Sequence, residues 1–181
     1  MSVTITNFAH GTTIDNESGV SSGWSDVELS KLGIQQSKDL MAQTADKDFA
    51  VVYCSDLKRS IDSANLAWGG KYKIIEDARL RECNYGDFNG KPSEIVEPMQ
   101  VKAIYEPMPN GESYEMVKER MARLLEDIKI DYDGKHVAMV GHKATQFALE
   151  VLLKGLSWEE VFEKDWRLTK SWQPGWEYTL D

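Results

Sequence analysis

Positive charge is scarce in this chain. Its 181 residues carry 21 Lys and Arg against 30 Asp and Glu, a net charge of −9, and a surface of that sign repels nucleic acid and anionic lipid. Nucleic-acid and membrane partners are therefore not expected, and an anionic ligand must be met by a local positive pocket. No apolar run approaches the ~20 residues of a membrane span, and the N-terminus lacks the basic flank and apolar core of a signal peptide. A cytoplasmic location is expected. The two cysteines, Cys54 and Cys83, have no metal-ligand spacing, which favours buried free thiols in a reducing compartment over a disulfide or redox switch. Prolines number five, four of them between Pro92 and Pro109, so that stretch cannot be one regular helix. It reads as an insertion at about 91–110, an excursion over the surface near the mouth of a site. Internal repeats and low-complexity segments are lacking too.

What is present alternates. Val3 to Ala9 is a β-branched run that ends in His10-Gly11-Thr12-Thr13, the way a strand hands over to a backbone-rich anion pocket. Ser30 reads as the N-cap of a helix whose Leu32, Ser37, Leu40 and Met41 share a face. Phe49 to Cys54 and His136 to Val140 are short, near-continuous apolar runs suited to strands covered on both faces. Ser55-Asp56 predicts a cap for a helix running to Trp68 and stopped by Gly69-Gly70. Tyr72 to Ile75 reads as a strand, and Met116, Val117, Met121, Leu124, Leu125 and Ile128 repeat at helical spacing. After Gly141-His142, the residues Ala144, Phe147, Ala148, Val151 and Leu152 mark the face of another helix. The tail holds Trp158, Trp166, Trp172 and Trp176, with an alternating edge strand at Trp176 to Leu180. This order predicts one α/β domain over residues 1–181, a three-layer sandwich with a mainly parallel sheet flanked by helices.

Ligands of such sheets collect at the carboxyl ends of strands. Those ends carry His10, the Ser55–Arg59 helix start and His142, with Glu82 in an irregular loop. An imidazole can attack phosphorus and split transfer to water into two displacements. A guanidinium offers a planar fork to phosphate oxygens, and a carboxyl can protonate the departing oxygen.

Six stretches follow one another in register: His10-Gly11-x-Thr13-x-x-Asn16; Gly23-x-x-Asp26-x-x-Leu29-Ser30-x-x-Gly33-x-x-Gln36; Ser55-Asp56-Leu57-x-Arg59-x-x-x-Ser63-Ala64; Leu80-x-Glu82-x-x-x-Gly86-x-x-x-Gly90; Gly111-Glu112-Ser113; and Gly141-His142. In this order the chain resembles the histidine phosphatase (phosphoglycerate-mutase-like) superfamily over roughly residues 3 to 153. The resemblance implies that His10 is the nucleophile that becomes phosphohistidine, that Arg59 and His142 grip the phosphoryl group, and that Glu82 is the acid. It places Gly11, Asn16 and the backbone near Gly23 around the substrate, and implies no metal or organic cofactor. One position departs from the family's Arg-His-Gly triplet, where this chain has Ala9. Loss of one preorganised charged donor costs on the order of 10²–10³ in rate if nothing replaces it. Lys143 and Arg81 are the nearest replacements in sequence, and Thr12 and Thr13 offer only neutral hydrogen bonds.

The expected function is phosphomonoester hydrolysis on a phosphorylated small metabolite or phosphoprotein. The alternatives are an inactive phosphate-binding regulatory protein on the same fold, to which Ala9 points, and a phosphomutase. The tail strand is suited to pairing with its own sheet or with a second subunit, so a homo-oligomer stays open.

Overall fold

The computed structural model describes residues 1–169 and 175–181, and Trp172 of the tail lies outside them. Its centre is a five-stranded sheet built from β1 (Val3–Ala9), β3 (Val51–Cys54), β4 (Ile74–Glu76), β6 (His136–Gly141) and β7 (Trp176–Leu180). The spatial order is β4-β3-β6-β1-β7. The first four strands run parallel, and β7 closes the edge antiparallel to β1 with Asn7 opposite Trp176. A small second sheet pairs β2 (Val20–Ser21) with β5 (Lys91–Pro92).

Period-two alternation along the strands creates the three layers. Val52, Cys54, Ala138, Val140 and Phe8 pack beneath Leu40 of α2 (Lys31–Gln43) and Ala64, Ala67 and Trp68 of α3 (Lys58–Trp68). Their neighbours Val51, Tyr53, Val137 and Met139, with Val3 and Ile5, face the other way. They meet α5 (Tyr114–Asp131), α6 (Lys143–Lys154) and α7 (Trp158–Glu163). Burying both faces of each central strand is why their sequences read as unbroken apolar runs. Cys54 and Cys83 are free and buried, and burial pushes the Cys54 thiol up to about 12, far from a reactive thiolate.

Four local expectations are corrected. In α2 the buried stripe is Gly33, Ser37 and Leu40, whereas Leu32 and Met41 are exposed. The helix is turned this way because Gly33 lies against the loop after β1, where an added Cβ would stand 1.9 Å from Thr12 O. Ser55 and Asp56 do not cap α3; Leu57 occupies the cap position without a side-chain bond, because both side chains are engaged in the contacts described below. The proline-rich stretch contains α4 (Ser93–Gln100), which includes Pro98, and it is more than a surface excursion, since Val96, Ala103, Ile104 and Met108 join the main core. In α5, Met116 is exposed while the other five predicted positions are buried. No helix among the described residues is long and apolar enough to cross a membrane.

Candidate active site

The carboxyl ends of β1, β3 and β6 open into a cleft of about 520 Å³. His10, Arg59, Glu82 and His142 all line it, from positions up to 132 residues apart (142 − 10), together with Ala9, Asn16, Gly23 and Lys143. Two helices, α3 and α6, point their N-termini at the same space from the strands β3 and β6, an arrangement favourable to an anion.

His10 follows β1 directly. Its Nδ1 lies 2.7 Å from Gly11 O, and since a carbonyl only accepts, Nδ1 carries the hydrogen and Nε2 the lone pair. Burial, reinforced by Arg59, pushes the His10 pKa down to about 3, so the ring is neutral at physiological pH. The His142 ring stands 5.0 Å from that of His10, centroid to centroid. Its Nε2 is 2.6 Å from Ser55 Oγ, which is where the predicted cap hydroxyl of α3 goes. Burial and then Arg59 hold His142 well below the usual imidazole range as well.

The turn between them is packed to tight tolerance. Gly11 N donates to Ser63 Oγ at 2.9 Å, and Ser63 donates in turn to Arg59 O at 2.7 Å. A Cβ at Gly11 would meet Gly33 O at 2.4 Å, so two glycines in contact set the height of the His10 backbone. Thr12 N donates to Gln36 Oε1 at 2.9 Å. Asn16 closes the next turn by accepting from Thr13 N at 3.0 Å.

Arg59 is buried in the first turn of α3. Its Nη2 donates to Gly23 O at 2.7 Å and its Nη1 to Ser25 O at 3.1 Å. Gly23 has φ +55°, and a side chain there would collide with Asn89 Oδ1 at 1.9 Å. That same oxygen accepts from Trp24 N and Tyr85 N at 3.1 and 3.0 Å, tying the two loops together.

Glu82 is placed from both ends. Its Oε1 accepts from Cys83 N at 2.8 Å and from Ala144 N, in the first turn of α6, at 3.1 Å. Among the described residues no hydrogen bond reaches Oε2, which stays available for a proton. Its main-chain carbonyl accepts from Trp24 Nε1 at 2.7 Å and Arg120 Nη2 at 2.9 Å. Arg120 is itself held by Glu112 through two 3.0 Å bonds, which gives the Gly111-Glu112-Ser113 stretch a positioning use. Arg120 and Asn89 escaped the sequence reading. A buried basic residue eight positions after Glu112 on the core face of α5 was the available signal.

The two cations proposed to replace a charge at position 9 part company. Arg81 does not line the cleft: its Nε and Nη2 bind Asp56 at 2.6 Å each and it covers the Trp24 ring at 4.5 Å. That pairing consumes the second predicted cap side chain of α3. Lys143 does line the cleft, buried to 7% exposure. Its Nζ donates to Gln100 Oε1 and lies 5.4–5.9 Å from the ring centres of Tyr114, Phe147 and Phe162. Burial, then Arg167, pulls its pKa down to about 8, which leaves it mostly charged at neutral pH.

Sequence reasoning put the 91–110 stretch near the mouth without naming its lining residues, and it missed the rest of the outer wall. Ser21, Ser93, Glu97, Trp166 and Arg167 line it, contributed by β2, by α4 and by a short turn after α7. Among the described residues, no group of three or more His, Cys, Asp or Glu side chains is disposed to hold a metal ion.

The family model for the histidine phosphatase superfamily (branch 1) matches residues 8–173. A 2,3-bisphosphoglycerate-dependent phosphoglycerate mutase of Cytophaga hutchinsonii is 29% identical over 170 residues, covering 86% of this chain and 79% of that protein. Among solved structures, Bacillus stearothermophilus YhfR superposes with a TM-score of 0.81 at 25% identity, covering 96% of this chain and 87% of that one. A mycobacterial glucosyl-3-phosphoglycerate phosphatase gives 0.75 at 25% identity, covering 87% and 85%. With a cleft that gathers two histidines, an arginine and a glutamate at strand ends, and a family match across most of its length, this chain belongs to the histidine phosphatase superfamily.

Proposed function

We propose that this protein is a phosphomonoester hydrolase that works through a phosphohistidine at His10 and needs no metal. The observation that carries the reading is the Nδ1 bond from His10 to Gly11 O, because it leaves the lone pair on Nε2 of a ring that shares the cleft with Arg59, His142 and Glu82. In the first step Nε2 attacks phosphorus, the P–O bond to the alcohol breaks, and protonated Glu82 delivers its proton to the leaving oxygen. In the second, Glu82 takes a proton from water, the oxygen attacks phosphorus, and the N–P bond breaks to release inorganic phosphate. Arg59 and His142 hold the phosphoryl oxygens throughout. Lys143, which lines the cleft with its Nζ on Gln100, contributes positive field rather than a bond.

The substrate is a phosphorylated small molecule in this reading, with neither nucleic acid nor membrane as a partner, and the acidic chain is suited to the cytoplasm. Mutase and phosphatase relatives share the fold, and the hydrolase is favoured here because one short insertion leaves little apparatus to retain an intermediate for re-transfer. A generic aryl phosphate with excess chelator tests the proposal. Turnover that resists the chelator and disappears in His10→Ala is expected, and loss of turnover with chelator, or its survival in the variant, would contradict it. Label passing to a second alcohol in place of water would identify a mutase, and silence across a broad phosphate panel would favour a regulatory phosphate-binding protein.

A further inference from the structure

Among the described residues three cations border the cleft, and their partners differ in kind. Arg59 spends its donors on the neutral carbonyls of Gly23 and Ser25, and Lys143 on the neutral amide of Gln100, so among the described residues neither bonds directly to a carboxylate. Arg167 is paired with carboxylates. Its Nε and Nη2 take Asp165, the latter at 2.7 Å, and its Nη1 takes Glu97 Oε1 at 2.9 Å. Beside that ion-paired group the wall offers hydroxyls, with Ser21 Oγ and Ser93 Oγ 2.9 Å apart. Among the described residues the cleft therefore has a guanidinium without a carboxylate partner at its Arg59 end and an ion-paired guanidinium with hydroxyls at its mouth.

We propose that Glu97, Arg167 and Asp165 act as a specificity filter, admitting phosphomonoesters whose leaving group is uncharged and hydroxyl-bearing and rejecting those with a second anionic group. The proposal rests on the phosphoryl group binding at the Arg59 end. With the dianion there, Arg59 is committed to it, and Lys143 is held by Gln100 among the rings of Tyr114, Phe147 and Phe162. A second anion at the mouth then faces the Glu97 carboxylate, and the cation beside it among the described residues, Arg167, is already paired with Glu97 and Asp165. An alcohol at the same place meets hydroxyls that both donate and accept. Side chains in the pair of Arg167 and Glu97 are 36% and 47% exposed, so screening keeps the discrimination moderate, about tenfold.

Glycerol 3-phosphate and 3-phosphoglycerate share a carbon skeleton and differ by a hydroxymethyl in place of a carboxylate, which makes them the probe pair. Calorimetric titration of each into the His10→Ala protein reads binding without turnover, and competition against aryl phosphate hydrolysis reads the same ratio in the wild-type chain. Glycerol 3-phosphate is expected to bind about tenfold tighter. Adding Glu97→Gln, which keeps shape and frees Arg167 for an incoming carboxylate, is expected to narrow the ratio to threefold or less, and Arg167→Gln to widen it. Equal or tighter binding of 3-phosphoglycerate, a ratio that neither substitution moves, or binding of neither ester would overturn the proposal. Absence of hydrolysis by the wild-type chain would instead contradict the hydrolase reading, while the binding ratio stays measurable.

Discussion

The floor and the mouth of this cleft are assembled by different means. At the floor, Arg59 and Glu82 are fixed by main-chain carbonyls and amides, His10 by its own Gly11 carbonyl, and the turn beneath by the contact of Gly11 with Gly33. At the mouth, Glu97 and Arg167 hold one another through side chains from a short helix and a terminal turn, 70 residues apart and partly open to solvent. A group fixed by backbone has few alternative positions, so its geometry is preorganised for a charged transition state. A solvated side-chain pair tunes which molecule arrives rather than how fast it reacts.

That contrast can be broken or sharpened by substitution. Glu82→Gln keeps the bonds to Cys83 and Ala144 within reach but removes the proton. Turnover of alkyl phosphates is expected to fall about 10²–10³-fold, and that of an aryl phosphate with a good leaving group far less, as steady-state kinetics on both esters will read. Gly33→Ala forces a Cβ to within 1.9 Å of Thr12 O. It is expected to cost about 1–3 kcal/mol in chemical denaturation and roughly tenfold in kcat by displacing the His10 turn. Lys143→Met fits its stem among the same rings, so the fold survives while phosphate affinity drops several-fold. The sign of the pH effect follows from a pKa near 8: Lys143 is charged below it and neutral above it, so wild-type kcat/KM should fall as pH rises through 8. In the variant this limb should be lost. Because burial has already pushed His10 down to about 3, no acid limb from His10 is expected near pH 6.5. Arg81→Ala is the smallest change, within threefold in turnover and about 0–1 kcal/mol in stability, since its guanidinium is turned to Asp56 and Trp24. A large loss there would return Arg81 to the site.

The difference between floor and mouth also governs what the sequence could disclose. Strands buried on both faces leave unbroken apolar runs, and residues at strand ends fall together because of the fold, so His10, Arg59, Glu82 and His142 could be grouped before their distances were known. Side-chain pairing leaves no such trace. Nothing in the order of residues says that Arg81 prefers Asp56 to a phosphate, or that Ser55 Oγ stands against His142 and leaves the cap position to Leu57. Nor does it place Glu97 opposite Arg167. Leu32 and Met41 misled for a related reason: the rotation of α2 is set by Gly33 against Thr12, a contact between backbones that hydrophobic spacing does not register.

The central claim is that His10 Nε2 bonds to phosphorus. Rapid quenching of the protein with radiolabelled phosphomonoester tests it directly, with the label followed through acid and alkali. The account predicts label on the protein that survives alkali, is released by acid, and is missing from His10→Ala. Turnover at full rate with no labelled protein, or label that persists in His10→Ala, would contradict it.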